Sequence, residues 1–536
     1  MATVIINGQE IELDDDERLN AIQAAARVDE EIPHYCWHPG LSVVASCRMC
    51  LIETGRKDPE SGEVSMMPKL VPGCQTPATD GTVIVTDSDK VKKARAQVEE
   101  DLLINHPIDC PICDKAGECR LQDYYFEHGQ ADRRADLKPY TSRRRSLGDT
   151  VTLFVDRCIM CSRCVRFTRE VTGTAELYVE GRGSSEEINV FPGFPLENKM
   201  SGNVVDLCPV GALGDKDFLY QQRVWFMKSH DGVCAGCSTG CSIEVDENQD
   251  HVYRLKPREN PHVNQWWMCD EGRYGFHHIH AEERLAGPAK LDDDALVNAD
   301  WTRLPSELNE KFTAAESVAG VISPHLTVEE AYLLAKYLRS VDENAALVLG
   351  PVPSEGEDES FPNGFTIRAE KCPNRRGVQA VLEHFTGKVQ TLDDLLPEIE
   401  AGKFDAVWVS GGYTNSDWVD ETTAEQFASV KTLVVQDLFN SPLIQQADYR
   451  LPSAAFAERE GSYVNFADRL QSFRWAVRPP MGVRTEGSLL WQLLASSGMY
   501  NAAEVLAELS REIIYFAAAK DEVPAVGVDL KVNLLV

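Results

Sequence analysis

At 536 residues the chain has room for three or four domains of about 150 residues each. A hydrophobic content of 43% gives those domains cores to fold around. The formal net charge of −32 excludes a general nucleic-acid binder, because phosphate repels a surface of that sign. No run reaches the roughly 18 apolar residues of a membrane span, and the longest apolar helix candidate, Ala331 to Leu338, carries Lys336 with Arg339 following. The start, MATVIINGQEIELDDDE, has neither the basic nor the apolar region of a secretory leader, so the chain is expected to stay in the compartment where it is made. Sixteen cysteines in a reducing compartment read as metal or redox sites rather than as disulfides, and only Cys372 lies beyond Cys269.

Thr3 to Ile6 and Ile11 to Leu13 flank Asn7-Gly8, which predicts a β-hairpin. Asp16 is the predicted cap of a helix over Arg18 to Arg27, with Leu19, Ala21, Ile22 and Ala25 on one face. Cys36, Cys47, Cys50 and Cys74 follow with spacing C-x10-C-x2-C-x23-C. Three thiolates on one loop and a fourth returning from a distance suit a [2Fe–2S] cluster. SCRMCLIE runs into a strand, the polar stretch Gly55 to Glu63 fills the long spacer, and Thr82 to Thr86 is the closing strand. Ser88 to Asn105 predicts a capped, charged helix that ends before Pro107 and delivers His106 to a second group, H-x3-C-x2-C-x5-C, formed with Cys110, Cys113 and Cys119. An imidazole in place of one thiolate makes a cluster less anionic and raises its potential.

Cys158, Cys161 and Cys164 form the C-x2-C-x2-C triplet of a [4Fe–4S] site. Because no second triplet follows, Cys208 in DLCPVGAL is the candidate fourth ligand. Arg157, Arg163, Arg166 and Arg169 crowd this group, either to offset cluster charge or as a solvated basic helix face. Val224 to Met227 reads as a strand before a fourth group, Cys234, Cys237, Cys241 and Cys269. That group encloses the β-rich CSIEVDEN and HVYRLKP, and it suits either a [4Fe–4S] cluster or a structural zinc.

Beyond Leu285, the strands Ala319–Ile322, Ala346–Leu349, Ala406–Val409 and Thr432–Val435 alternate with helices. The helices are predicted over Thr327 to Val341, Leu392 to Ala401 and Thr423 to Val430. This alternation predicts a parallel sheet covered on both faces. Ser410-Gly411-Gly412 after one strand is either a phosphate-approaching loop or a plain tight turn. Cys372 reads as an ordinary thiol.

The four sets come in a fixed order, carried by SCRMC, HPIDCPICDKAGEC, RCIMCSRCVRF, DLCPVGAL and CAGCSTGC. Over about residues 1 to 285 the chain resembles the large iron–sulfur subunit of respiratory complex I, the G-type subunit of bacterial NADH:quinone oxidoreductase. The resemblance continues more weakly through VWVSGGYTN and LFNSPLIQQADYRLPSAAFAEREGSYVN. It implies α+β ferredoxin-like cluster domains followed by a shortened α/β molybdopterin-oxidoreductase-like domain without its cofactor. The implied divisions are a 2Fe-2S domain over 1–86, a His-ligated 4Fe-4S domain over 87–145 and a 4Fe-4S ferredoxin-type domain over 146–226. A 4Fe-4S molybdopterin-oxidoreductase-type domain over 227–285 and the α/β domain over 286–536 complete the chain.

The resemblance also implies one 2Fe-2S cluster on Cys36, Cys47, Cys50 and Cys74, and two to three 4Fe-4S clusters. These fall on His106, Cys110, Cys113 and Cys119; on Cys158, Cys161, Cys164 and Cys208; and, off the main route, on Cys234, Cys237, Cys241 and Cys269. The implied role is electron relay without an independent catalytic centre on this chain. Electrons would come from an FMN/NADH-binding subunit and leave toward a ferredoxin-like 4Fe-4S subunit, with a small 2Fe-2S subunit also in the complex. The implied location is the peripheral arm on the cytoplasmic side of the inner membrane, with membrane contact only through the complex. The chain is short for a bacterial member, so a final lobe is expected to be missing, and no residue offers a convincing molybdenum ligand. Two other readings make different demands. The iron–sulfur subunit of a cytosolic NAD-linked formate dehydrogenase or hydrogenase needs further metal ligands, and a zinc-stabilised scaffold would be colourless.

Overall fold

Asn7 and Gly8 both take positive φ, 47° and 85°, the pair of left-handed residues that a tight hairpin turn demands. The turn joins Ala2–Ile6 to Gln9–Leu13, whose Ile5 and Glu10 face each other across the ladder. The computed structural model describes residues 2–14, 16–132, 134, 136–293 and 295–531. Its contacts divide the chain into two units, Met1–Phe226 with Phe361–Gly364, and Met227–Ser360 with Phe365–Val536.

In the first unit the hairpin pairs in parallel with Thr82–Val85, which pairs antiparallel with Leu51–Lys57. Val64–Met66 and Val71–Pro72 complete this six-stranded sheet. Leu51–Lys57 runs on through Gly55 and turns back at Val64, so the polar stretch Gly55 to Glu63 is strand as far as Lys57 and hairpin loop beyond it. The helix packed on the sheet is shorter than expected, Ala21–Ala26, and its cap is Asn20, not Asp16. The physical reason is tertiary: the Ala21 amide donates to the Thr76 carbonyl at 2.8 Å, holding the preceding residues extended. Asn20 and Gln23 then form a capping box. Ala21, Ile22, Ala24 and Ala25 bury against Val4, Ile6, Leu13, Ile52 and Ile84. Further along lie the helix Asp89–Asn105, capped by Ser88, and a three-stranded sheet of Arg144–Ser146, Val151–Phe154 and Leu213–Asp215. Val224 to Met227 is not a strand: Val224–Phe226 is a 3-10 turn and the strand begins at Lys228.

The second unit opens with an antiparallel sheet of Lys228–Val233, Ser242–Asn248 and His251–Pro257. Its main sheet places Val318–Ile322 between Ala346–Leu349 and Ala406–Ser410, with Thr432–Asp437 and Tyr449–Pro452 extending it in parallel. An antiparallel pair, Ala289–Asp292 and Ala295–Asn298, closes one edge. Period-two alternation splits the buried strand residues between two cores. Ala406 and Trp408 join the helices Leu304–Ala314, Val328–Val341 and Arg375–Thr386, while Val407 and Val409 join Leu392–Glu400 and Pro442–Gln446. The helix expected over Thr423 to Val430 breaks into Glu421–Glu425 and the 3-10 turn Gln426–Ser429, the former capped by Asp420. Among the described residues no helix is long and apolar enough to cross a membrane.

Candidate metal centres

Strand pairing assembles the first set. Leu51 and Ile52 pair with Pro72 and Val71, which brings Cys74 back beside Cys50. The Cys36 amide donates to Cys47 Sγ at 3.5 Å, and Ala45 and Arg48 take left-handed φ to fold the intervening loop around the thiols. Cys36, Cys50 and Cys74 are buried and Cys47 is half-buried. The thiols meet as two pairs, Cys36 with Cys47 and Cys50 with Cys74, and in each the thiol-to-thiol hydrogen bond raises one acidity constant and lowers the other.

Helix ends deliver the second set. His106 caps the C-terminus of Asp89–Asn105, Cys110–Ile112 is a 3-10 turn ending at Cys113, and Cys119 opens the helix Arg120–His128. A cleft of about 420 Å³ is lined by His106, Cys110 and Cys119 together with Ile108, Tyr125 and Phe126. Cys113 is held from behind: Arg223 donates to its carbonyl at 2.8 Å, and a Cβ on Gly211 would lie 2.1 Å from its Sγ. Burial, with help from Arg157, lowers His106 to about 4, so its imidazole is neutral near pH 7, the form that binds metal. Cys110 is the exposed member of the sixteen cysteines.

In the third set, Cys158, Cys161, Cys164 and Cys208 line one enclosed cavity with Leu153, Ile188 and Val210. Met160 and Ser162 take positive φ, so the chain curls around the thiols, and the Met160 amide donates to Cys158 Sγ at 3.4 Å. Cys208 arrives at the end of the helix Asn203–Leu207. The fourth set lies in the second unit, where three of its members occupy the loop between paired Val233 and Ser242. Cys234, Cys237, Cys241 and Cys269 line a cavity with Met268, Phe365 and Ile367. The Gly272 amide donates to Cys269 Sγ at 3.3 Å, and a Cβ on Gly272 would sit 3.0 Å from Cys234 Sγ.

The arginines around the third set are not a solvated face. Arg157, Arg163 and Arg166 are buried, and Arg169 alone of the four is exposed. Arg157 lies over the Phe154 ring and pairs with Asp109 at 2.9 Å, between the second and third sets. The Ser410-Gly411-Gly412 turn is already filled by a carboxylate: Asp437 accepts from the Gly412 amide at 3.1 Å and from Trp418 Nε1 at 2.8 Å. A phosphate there would meet like charge, so this is a structural turn. Cys372 is buried. Sequence reasoning passed over Asp109, Arg223, Gly211 and Gly272. A glycine three residues after Cys208 and another three after Cys269 were the available signals.

Residues 1–89 match the 2Fe-2S iron-sulfur cluster binding domain, and residues 95–134 the NADH-ubiquinone oxidoreductase-G iron-sulfur binding region. Residues 148–214 match the NADH-quinone oxidoreductase subunit 3, ferredoxin-like domain. Residues 227–281 match the molybdopterin oxidoreductase Fe4S4 domain, and residues 374–495 molybdopterin oxidoreductase. The G-type subunit of the NADH-quinone oxidoreductase of Rickettsia felis is 34% identical over 346 residues, 64% of this chain and 50% of that protein. The NADH-ubiquinone oxidoreductase 75 kDa subunit of Reclinomonas americana is 32% identical over 68% of this chain and 52% of that protein.

The chain is a relative of the G-type iron–sulfur subunits.

It spans about half the length of the curated G-type relatives it matches. Among solved structures, a chain of an NAD+-reducing [NiFe]-hydrogenase in the H2-reduced state is similar at 26% identity, with a TM-score of 0.34, covering 42% of this chain and 91% of that one. The matched domain families place a 2Fe-2S domain first in this chain and 4Fe-4S domains after it. The residues fit those groups. Backbone amides point at sulfur in the first, third and fourth sets, and a glycine leaves room beside a thiol in the second and fourth. Burial pushes Cys119 and Cys161 up to about 11 and Cys234 up to about 12, a penalty on bare thiolates that metal ligation offsets with positive charge. Among the described residues, no group of three or more His, Cys, Asp and Glu is drawn together as the ligands of a single ion.

Proposed function

We propose that this chain is an electron-relay subunit of an NADH:quinone oxidoreductase. The observation that carries the reading is the order of the four ligand sets, three of them in one unit and linked there by buried arginines. The proposed ligands are Cys36, Cys47, Cys50 and Cys74 for 2Fe-2S. For three 4Fe-4S clusters they are His106, Cys110, Cys113 and Cys119; Cys158, Cys161, Cys164 and Cys208; and Cys234, Cys237, Cys241 and Cys269. The domain divisions follow these sets: 1–86, 87–145, 146–226, 227–285 and 286–536.

When bound, iron–sulfur clusters supply one-electron redox chemistry that requires no acid or base from the protein. The chain's own residues set the conditions for it. Burial shields the fourth set and, in the third, Cys161, Cys164 and Cys208 from water, amide N–H groups stabilise sulfur charge, and His106 contributes a neutral ligand. The proposed partners are an FMN/NADH-binding subunit, a small 2Fe-2S subunit and a ferredoxin-like 4Fe-4S subunit. The proposed location is the cytoplasmic side of the inner membrane, in the peripheral arm of the complex.

The test is purification from membranes with metal analysis and EPR of the reduced protein. The expected result is copurification with a flavin-bearing chain and distinct signals from one 2Fe-2S and at least two 4Fe-4S clusters. Stoichiometric molybdenum would sink the reading in favour of a formate dehydrogenase-type enzyme. A colourless protein holding zinc would sink it in favour of a scaffold.

A further inference from the structure

Two buried cations stand between the first and third cysteine sets, and no carboxylate among the described residues accounts for them. Arg163 and Arg166 flank Cys164 on the helix Arg163–Glu170, with 9% and 7% of their surface exposed. Their hydrogen bonds go to backbone carbonyls. Arg163 Nη1 donates to Leu207, the residue before Cys208, at 3.2 Å, and Nη2 donates to Trp37, the residue after Cys36, at 2.5 Å. Arg166 Nη1 donates to the Ser42 carbonyl, and Nη2 donates both to the Cys36 carbonyl and, at 3.3 Å, to that of Cys161. One nitrogen thus touches a candidate ligand residue of each set. Among the described residues, neither guanidinium has a carboxylate partner within ion-pair distance, unlike Arg157, which has Asp109.

An isolated buried charge costs several kcal/mol, and carbonyl dipoles offset only part of that. The remaining compensation has to come from nearby negative charge. Thiols bear on this pair: Cys161, Cys208 and Cys36 act electrostatically on Arg163, and Arg166 acts on Cys161. Ionised as ligands, they are the anions this pocket supplies. The nearest carboxylate that the hydrogen bonds trace, Glu170, accepts from the Ser42 amide at 2.8 Å and not from either guanidinium.

We propose that Arg163 and Arg166 are shared positioning and counter-charge residues for the first and third cluster sites, bracing the 36–42 loop against the 161 and 207 carbonyls and setting the potentials of both. This rests on the reading of those sets as cluster sites. Positive charge near a cluster stabilises its reduced, more negative form, so removing it lowers the midpoint potential. Two sites that share one cation must shift together.

The test is an EPR-monitored redox titration of the purified protein, with iron and acid-labile sulfide measured alongside. In Arg166→Gln, the 2Fe-2S midpoint and that of the third-set 4Fe-4S cluster are both expected to fall, while the fourth-set cluster, none of whose candidate ligands hydrogen-bonds Arg166, keeps its potential. Arg166→Lys, which retains the charge, is expected to stay near the parent values. An assembled Arg166→Gln protein in which neither midpoint moves, or only one does, overturns the proposal. If Arg166→Gln fails to retain iron, Arg166→Lys decides. Iron regained at the parent potential supports the counter-charge, and iron still lost overturns it. Absence of cluster signals from the parent protein would defeat the proposed function itself, a separate outcome.

Discussion

Gly211 lies so close to Cys113 Sγ that any side chain there would drive into the sulfur. Gly211→Ala is therefore expected to displace Cys113 and abolish the EPR signal of the His106-containing site, with the other signals retained at parent intensity. Asp437 is a second residue whose surroundings decide its behaviour. It is buried beneath the Ser410-Gly411-Gly412 turn and, despite four hydrogen-bond donors, burial raises it from 3.8 to about 6. Its folded value lies above its unfolded one, so its favourable contribution is complete below about pH 4 and is lost as pH rises through about 6. An asparagine in its place would not titrate. The melting temperature of Asp437→Asn relative to the parent should therefore climb between pH 4 and about 6 and then level off. A difference that stays flat with pH would show that Asp437 does not titrate in that window.

At the scale of elements, the helix Val328–Val341 shows how local and tertiary signals combine. Thr327 and Glu330 close a capping box that is legible in the sequence, and Val328, Ala331, Leu334 and Leu338 bury one face. Its first turn, however, is fixed by an ion cluster that no local pattern reveals. Arg459 Nη1 meets Glu330 at 2.8 Å and Arg459 Nη2 meets Glu486 at 3.3 Å, all three side chains being almost wholly buried. Removing the cation leaves two buried carboxylates without a counter-charge, so Arg459→Ala should cost about 3–5 kcal/mol. Chemical denaturation of the parent and variant would measure it, and a cost below about 1 kcal/mol would mean that the carboxylates are held neutral. The helix Asp89–Asn105 is the simpler case. Ser88 at its start and Pro107 beyond its end mark its bounds in the sequence, and those bounds present His106 where the chain leaves the helix.

Across the whole molecule, the four ligand sets are divided three and one between two units. Cys237→Ser should therefore remove the fourth signal and leave the signals of the three sites in the first unit at parent intensity. Loss of any of those would show that the first unit does not hold its three sites by itself. The sequence alone determined the grouping of cysteines, the Asn-Gly hairpin, the cap at Ser88, the helix from Thr327, and the alternation that builds the parallel sheet. Each of these is a short-range signal, a spacing or a turn preference that a few neighbouring residues satisfy. The tertiary structure decided the rest. Asn20, not Asp16, starts the first helix because Thr76 holds the Ala21 amide. The Gly-rich turn after Ser410 is closed because Asp437 arrives from the next strand. Arg163 and Arg166 are buried and not a solvated face because Trp37, Ser42 and Leu207, distant in the chain, offer their carbonyls. The physical reason is common to all three. A polar group's role is set by what removes its water, and the residues that do so lie far away in sequence.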